Sequence, residues 1–133
     1  MKLLKLSSLS VCAMLMFGCA SVKPGNDTLL VRAEQTREAA LETFDTFVRY
    51  ENDNRIALWK VSPDIKHFAD NIRSVGKASI QQLDGAIDDY KKLKTTVSSD
   101  KLNNTITFVA TLTSRAFATM TQGKAALEIS NKK

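Results

Sequence analysis

Residues 61–93 read VSPDIKHFADNIRSVGKASIQQLDGAIDDYKKL, and this stretch decides the fold. It opens on the clearest break in the chain. Ser62 is a helix-capping residue type, Pro63 suits the first helical position, and Asp64 favours the positive end of a helix. Beyond the break, Ile65, Phe68, Ile72, Val75, Leu83, Ile87, Tyr90 and Leu93 recur at a spacing of about 3.5 residues, the period of packed helices. Gly76 and Gly85 lower the helical propensity without ending the pattern. The spacing predicts one long amphipathic helix with Ile72 and Ile87 on its buried stripe. Asp70 falls on the opposite face, where substitution is expected to matter little.

Upstream, residues 29–59 repeat the pattern with Leu30, Ala33, Leu41, Phe44, Val48 and Leu58. Asp27 or Thr28 can cap the start. Asp45 with Arg49, and Glu51 with Arg55, are opposite charges four residues apart and support the helix modestly. The polar run from Glu51 to Arg55 interrupts the apolar pattern, and a bend is expected there. Downstream, Ser98-Ser99-Asp100 reads as a second turn and cap. A third segment follows with Leu102, Ile106, Val109, Ala116, Met120 and Leu127 on one face. Within it, residues 105–113 alternate Thr with apolar residues and could form a strand. Ala110, Ala116 and Ala118 extend the helical pattern, and no hairpin turn is offered, so helix is the expectation.

Three such helices cannot bury their stripes singly. They are expected to pack as an all-α, up-down-up three-helix bundle over residues 28–133. The regular stripe of the second segment could instead seal a homo-oligomeric coiled coil, so monomer and homo-oligomer both stay open.

Composition fits an ordinary folded domain: 133 residues, 44% hydrophobic and 25% charged, with two Pro and five Gly. The formal charge is +5. Two of those charges, Lys2 and Lys5, lie in a segment expected to be removed, which leaves +3. That is too mild to argue for a nucleic-acid partner. Both cysteines, Cys12 and Cys19, fall in the first twenty residues, so the body has no disulfide to rely on.

Residues 1–18, MKLLKLSSLSVCAMLMFG, join a positive start to a short apolar middle and a small residue. Twelve apolar residues are too few to span ~30 Å of hydrocarbon, which takes roughly 20. This is the grammar of a secretory signal. Its end, Met16-Phe17-Gly18-Cys19, resembles the lipobox of bacterial lipoproteins. Gly18 and Cys19 match its most demanding positions, while Phe17 is bulkier than the usual residue. The resemblance implies cleavage before Cys19 and a diacylglycerol on its thiol. It also implies, from Ala20 where Asp would retain the protein at the inner membrane, an outer-membrane location facing the periplasm. Plain secretion, with a cut before Ser21, is the alternative. On the lipobox reading, residues 19–27 are the lipidated Cys and a short tether. Ala20 to Asp27 is eight residues, reaching at most ~28 Å.

No residue pattern points to catalysis. His67 is the single histidine, and it lies off the stripe of Ile65, Phe68 and Ile72 despite Asp64 three residues before it. A bundle di-metal site would need several inward carboxylates as well. The serines lack a G-x-S-x-G setting, and the glycines form no phosphate cradle. No enzyme activity, cofactor or metal is expected. Lys91, Lys92, Lys94 and Lys101 gather near the second turn, and Lys132 and Lys133 close the chain. Such clusters can touch anionic headgroups, but they more often form a solvated helix end. Tyr50, Trp59 and Phe68 flank the first turn with Arg55. Core plugs are the simpler reading, yet Tyr50, Arg55 and Trp59 are the first place to seek an interaction surface. The expected function is a non-enzymatic helical binding or structural module, anchored to membrane lipid through Cys19 and facing an envelope protein. A protective lipoprotein that blocks one specific partner, as in phage exclusion or toxin immunity, is the alternative.

Overall fold

A computed structural model describes residues 27–132, which form three helices and no strand. The helices are α1 (Thr28–Val61), α2 (Pro63–Leu93) and α3 (Thr96–Ser130). The signal segment, Cys19 and all of the tether but Asp27 lie outside the described residues.

The caps explain where each helix begins. Asp27 accepts hydrogen bonds from the amides of Leu29 and Leu30 at 3.0 and 3.4 Å, which fixes the start of α1. Ser62 stands at the start of α2 as expected, but its side chain makes no capping bond. Pro63 supplies the helical φ there, and the Ile65 amide donates to the Ser62 carbonyl at 3.2 Å. The second break lies earlier than the serines suggest. Lys94 takes a left-handed conformation, φ 47°, and Thr95 caps α3. The Ser98 amide donates to Thr95 Oγ1 at 3.2 Å, and the Thr95 amide donates to Ser98 Oγ at 3.0 Å. This reciprocal box draws Ser98, Ser99 and Asp100 inside α3, with Ser98 and Ser99 in its first turn.

The Thr-rich stretch is helical because its hydroxyls find partners within the helix. Thr105, Thr107, Thr111 and Thr113 each donate to the carbonyl four residues back, at 2.8–3.0 Å. Residues 51–55 do not break α1, which runs unbroken for 34 residues. The bend expected from the polar run is absent: Glu51 is fully buried and carries the stripe through it.

The buried stripe of α1 is Ala33, Ala40, Phe44, Phe47, Glu51 and Leu58. It faces Ile65, Ile72, Leu83 and Ile87 of α2 and Leu102, Ile106, Val109 and Met120 of α3. The α2 stripe is thus covered within one chain. Leu41 and Leu93, expected on buried stripes, are exposed. Phe44 and Phe47 turn the α1 stripe away from Leu41, and Leu93 lies beyond the layer closed by Ile87 and Tyr90.

Cross-contacts give the direction of each helix. Tyr90 donates to Asp27 Oδ2 at 2.9 Å, Arg37 pairs with Asp84 at 2.6 Å, and Phe47 packs against Phe68 in a tilted arrangement with ring centres 5.5 Å apart. Rising α1 numbers meet falling α2 numbers, so the two are antiparallel. α3 runs parallel to α1. Near its end a Cβ on Gly123 would come within 2.9 Å of Ile65 Cδ1 and 3.0 Å of the Tyr50 hydroxyl. A larger residue at 123 would require the ends of the Ile65 and Tyr50 side chains to shift. The result is an up-down-up bundle whose long axis is set by α1, ~51 Å at ~1.5 Å per residue. One end holds Asp27 and the α2–α3 turn. The other holds the α1–α2 turn and the end of α3.

Candidate interaction site at the end away from Asp27

At this end α1 carries a carboxylate into the core. Glu51 follows Phe47 by one turn and precedes Leu58 by two, so the helix repeat places it on the buried stripe. Its charge is met from two helices. Arg55, one turn on, donates Nε to Oε1 at 3.1 Å and Nη2 to Oε2 at 3.2 Å. Arg73 crosses from α2 to donate to the same Oε2. Both guanidinium groups also donate to Asn52 Oδ1 at 2.8 Å. Arg73 in turn is held by Asp70 at 2.8 Å, and Asp70 by Lys66, also at 2.8 Å.

Burial would by itself push the Glu51 carboxyl upward. The hydrogen bonds and charges of Arg55 and Arg73 outweigh it and hold the carboxyl below its ordinary range. The Lys66 hydrogen bond lowers Asp70 in the same sense, with a smaller part from Arg73. A carboxylate kept ionised and saturated by two guanidinium groups makes a poor proton acceptor at neutral pH. What it can do is fix the α1–α2 register at this end.

Around that clamp three large apolar side chains stand exposed among polar ones such as Asp53, Asn54 and Lys60. Ile56 is 76% exposed, Trp59 61% and Ile129 62%. Ile56 and Trp59 are three residues apart and share one side of α1. The Lys66 ammonium lies over the Trp59 ring, 5.8 Å from its centre. A cleft of about 420 Å³ opens between the ends of α1 and α3, with Arg55, Ile56 and Val61 on one wall and Leu127, Ser130 and Asn131 on the other.

Of the three residues singled out from sequence, Arg55 and Trp59 sit at this end with partly exposed side chains. The expectation of Trp59 as a core plug is corrected: Leu58 takes the inward position and turns Trp59 outward. Tyr50 lies inside, against Gly123 and under Lys124. Its hydroxyl is buried with no hydrogen-bond partner among the described residues, and burial raises its pKa. Arg73 and Ile56 were missed. The stripe spacing of Glu51 could have signalled a buried charge needing a second cation, but nothing in the sequence says that the cation stands 22 residues away.

Elsewhere, His67 is exposed. Among the described residues no group of three or more His, Cys, Asp or Glu could hold a metal ion, and no helix is long and apolar enough to cross a membrane. A shallow apolar groove of about 330 Å³ runs between α1 and α2 over Gly76, where a Cβ would meet the Phe44 ring at 3.2 Å. Compared with family models, curated proteins and solved structures, the chain has no match.

Proposed function

We propose that this chain is a lipid-anchored protein of the bacterial cell envelope that acts as a non-enzymatic binding module, holding a protein partner at the end of the bundle away from its anchor. The anchor would be Cys19, and Ala20 favours the outer membrane, facing the periplasm. The observation that carries the binding reading is the cluster of exposed Ile56 and Trp59 beside a cleft, mounted on a helix end clamped by Glu51, Arg55 and Arg73. A large aromatic and an aliphatic side chain on a rigid base are what a protein interface uses as anchors. The partner would be a protein with a complementary apolar surface and a carboxylate to pair with exposed Lys60 at the rim.

Two experiments test this reading. Cys19→Ser should abolish incorporation of a fatty-acid probe and leave uncleaved precursor; a wild-type chain that begins at Ser21 would contradict the anchor. For the partner, a photo-crosslinker at Ile56 in intact cells should give one discrete protein adduct that Trp59→Ala abolishes. The same crosslinker at exposed Gln81 should give none. Identical adducts from both positions would contradict a binding end.

A further inference from the structure

We propose that the opposite end of the bundle, the α2–α3 turn, rests on the surface of an anionic lipid bilayer with Leu93 and Val97 dipped into the headgroup layer. Both side chains are aliphatic and among the most exposed in the protein, Leu93 at 63% and Val97 at 78%. They flank the sharp left-handed turn at Lys94, which holds them out as a single knuckle. The tip, residues 91–97, carries Lys91, Lys92 and Lys94 and no carboxylate. Lys91 bonds Glu34 and Lys101 bonds Asp89, so Asp89 and Glu34 lie behind the tip and are paired. Lys92 and Lys94 have no ion-pair partner among the described residues. Lys94 lies near Asp27 and Lys92 near Asp89, neither within ion-pair distance, and Asp100 follows Val97 by one turn, so the tip itself keeps a basic face. Two aliphatic side chains with ammonium groups beside them suit an interface of phosphate headgroups over acyl chains.

The route of the chain agrees with this placement. Tyr90, just before the tip, donates its hydroxyl to Asp27, so the tip and the start of α1 share one end of the bundle. Cys19 stands eight residues before Asp27, within ~28 Å of it at most. This part of the argument rests on the anchor proposed above; the exposed knuckle and its lysines do not.

The test supplies the anchor chemically, so it does not depend on what the cell attaches. Every buried apolar residue lies between Ala33 and Met120, so a chain beginning at Cys19 keeps the whole core. That chain is coupled through the Cys19 thiol to maleimide lipid in vesicles of equal parts phosphatidylglycerol and phosphatidylcholine. Trp59 is the sole tryptophan and reports on the far end. Val97→Trp combined with Trp59→Phe reports on the knuckle. Brominated lipids should quench the tryptophan at 97 strongly and Trp59 little. Lys92→Gln and Lys94→Gln should each weaken the vesicle binding of the uncoupled chain roughly fivefold, since a lysine near an anionic surface contributes about that factor. Pure phosphatidylcholine should mimic the double change. All these positions are exposed, and circular dichroism verifies that each variant is folded. Equal quenching at 97 and 59, or binding indifferent to both lysines, would overturn the proposal. Failure of the fatty-acid labelling in cells would overturn the anchor alone.

Discussion

The two ends of this bundle are built by opposite means. Near Asp27 the structure is held mainly by local contacts: the Asp27 cap, the Thr95–Ser98 box with Ser98 itself buried, and ion pairs such as Lys101 with Asp89, both about half exposed. Near the α1–α2 turn it is held by Glu51, wholly buried, with charges from two helices converging on it. Exposed pairs contribute little because water competes for both partners, whereas a buried charge that loses its partner is costly. One end is thus made of many small, replaceable contacts, and the other of a few that depend on one another. That difference suits a soft contact with a lipid surface at the first end and a fixed interface at the second.

Arg73→Ala should separate the two ends most sharply. It leaves Glu51 buried with Arg55 alone, and chemical denaturation is expected to show a loss of about 3 kcal/mol. The pH dependence should change with it. Glu51 titrates lower in the folded chain than its ordinary value of 4.5, so its stabilisation is complete above that value and is lost as pH falls through the folded one. Without Arg73 the acid transition should move to higher pH. A loss under about 1 kcal/mol with an unmoved acid transition would mean that this end is no more interdependent than the other.

Thr95→Ala, at the water-exposed end, should cost about 1 kcal/mol, the usual worth of a helix cap, and leave the acid transition in place. Tyr50→Phe tests the buried end in the opposite direction. Removing a hydroxyl that is buried without a partner should raise stability by up to about 1 kcal/mol. A destabilised Tyr50→Phe would show that the hydroxyl has a use at Gly123 that its geometry does not reveal.

The same contrast separates what could be read in the sequence from what could not. Helix punctuation is local, so three helices, a cap at Asp27 or Thr28, the break at Pro63 and the burial of Ile72 and Ile87 were legible. The second break was harder to place: Ser is the stronger capping type, and Thr95 caps α3 because Ser98 completes a reciprocal box with it. The buried end was not legible, since its logic links residues far apart. Glu51 looked like part of a polar bend, and Asp70 looked idle. In the fold Asp70 orients Arg73, so Asp70→Ala should weaken the clamp more than an ordinary surface change. Of the residues singled out, Arg55 and Trp59 lie exposed near the α1–α2 turn, whereas Tyr50 is half-buried with its hydroxyl inside. Tyr and Trp have similar hydrophobic weight, and only the α1 register decides which of them turns outward.

If the bundle stands on the Lys94 turn with its far end free, height above the membrane should differ between the ends by most of the length of α1. A fluorescent donor at Ile56 and, separately, at Val97 of the anchored protein, with an acceptor lipid in the bilayer, measures that height by energy transfer. Residue 56 lies 28 residues along α1 from Thr28, ~42 Å at ~1.5 Å per residue. The donor at 97 should therefore be quenched almost fully, and the donor at 56 should report a separation of about 40 Å. Equal heights at the two positions would mean that the bundle lies flat, and the division of labour between its ends would fall.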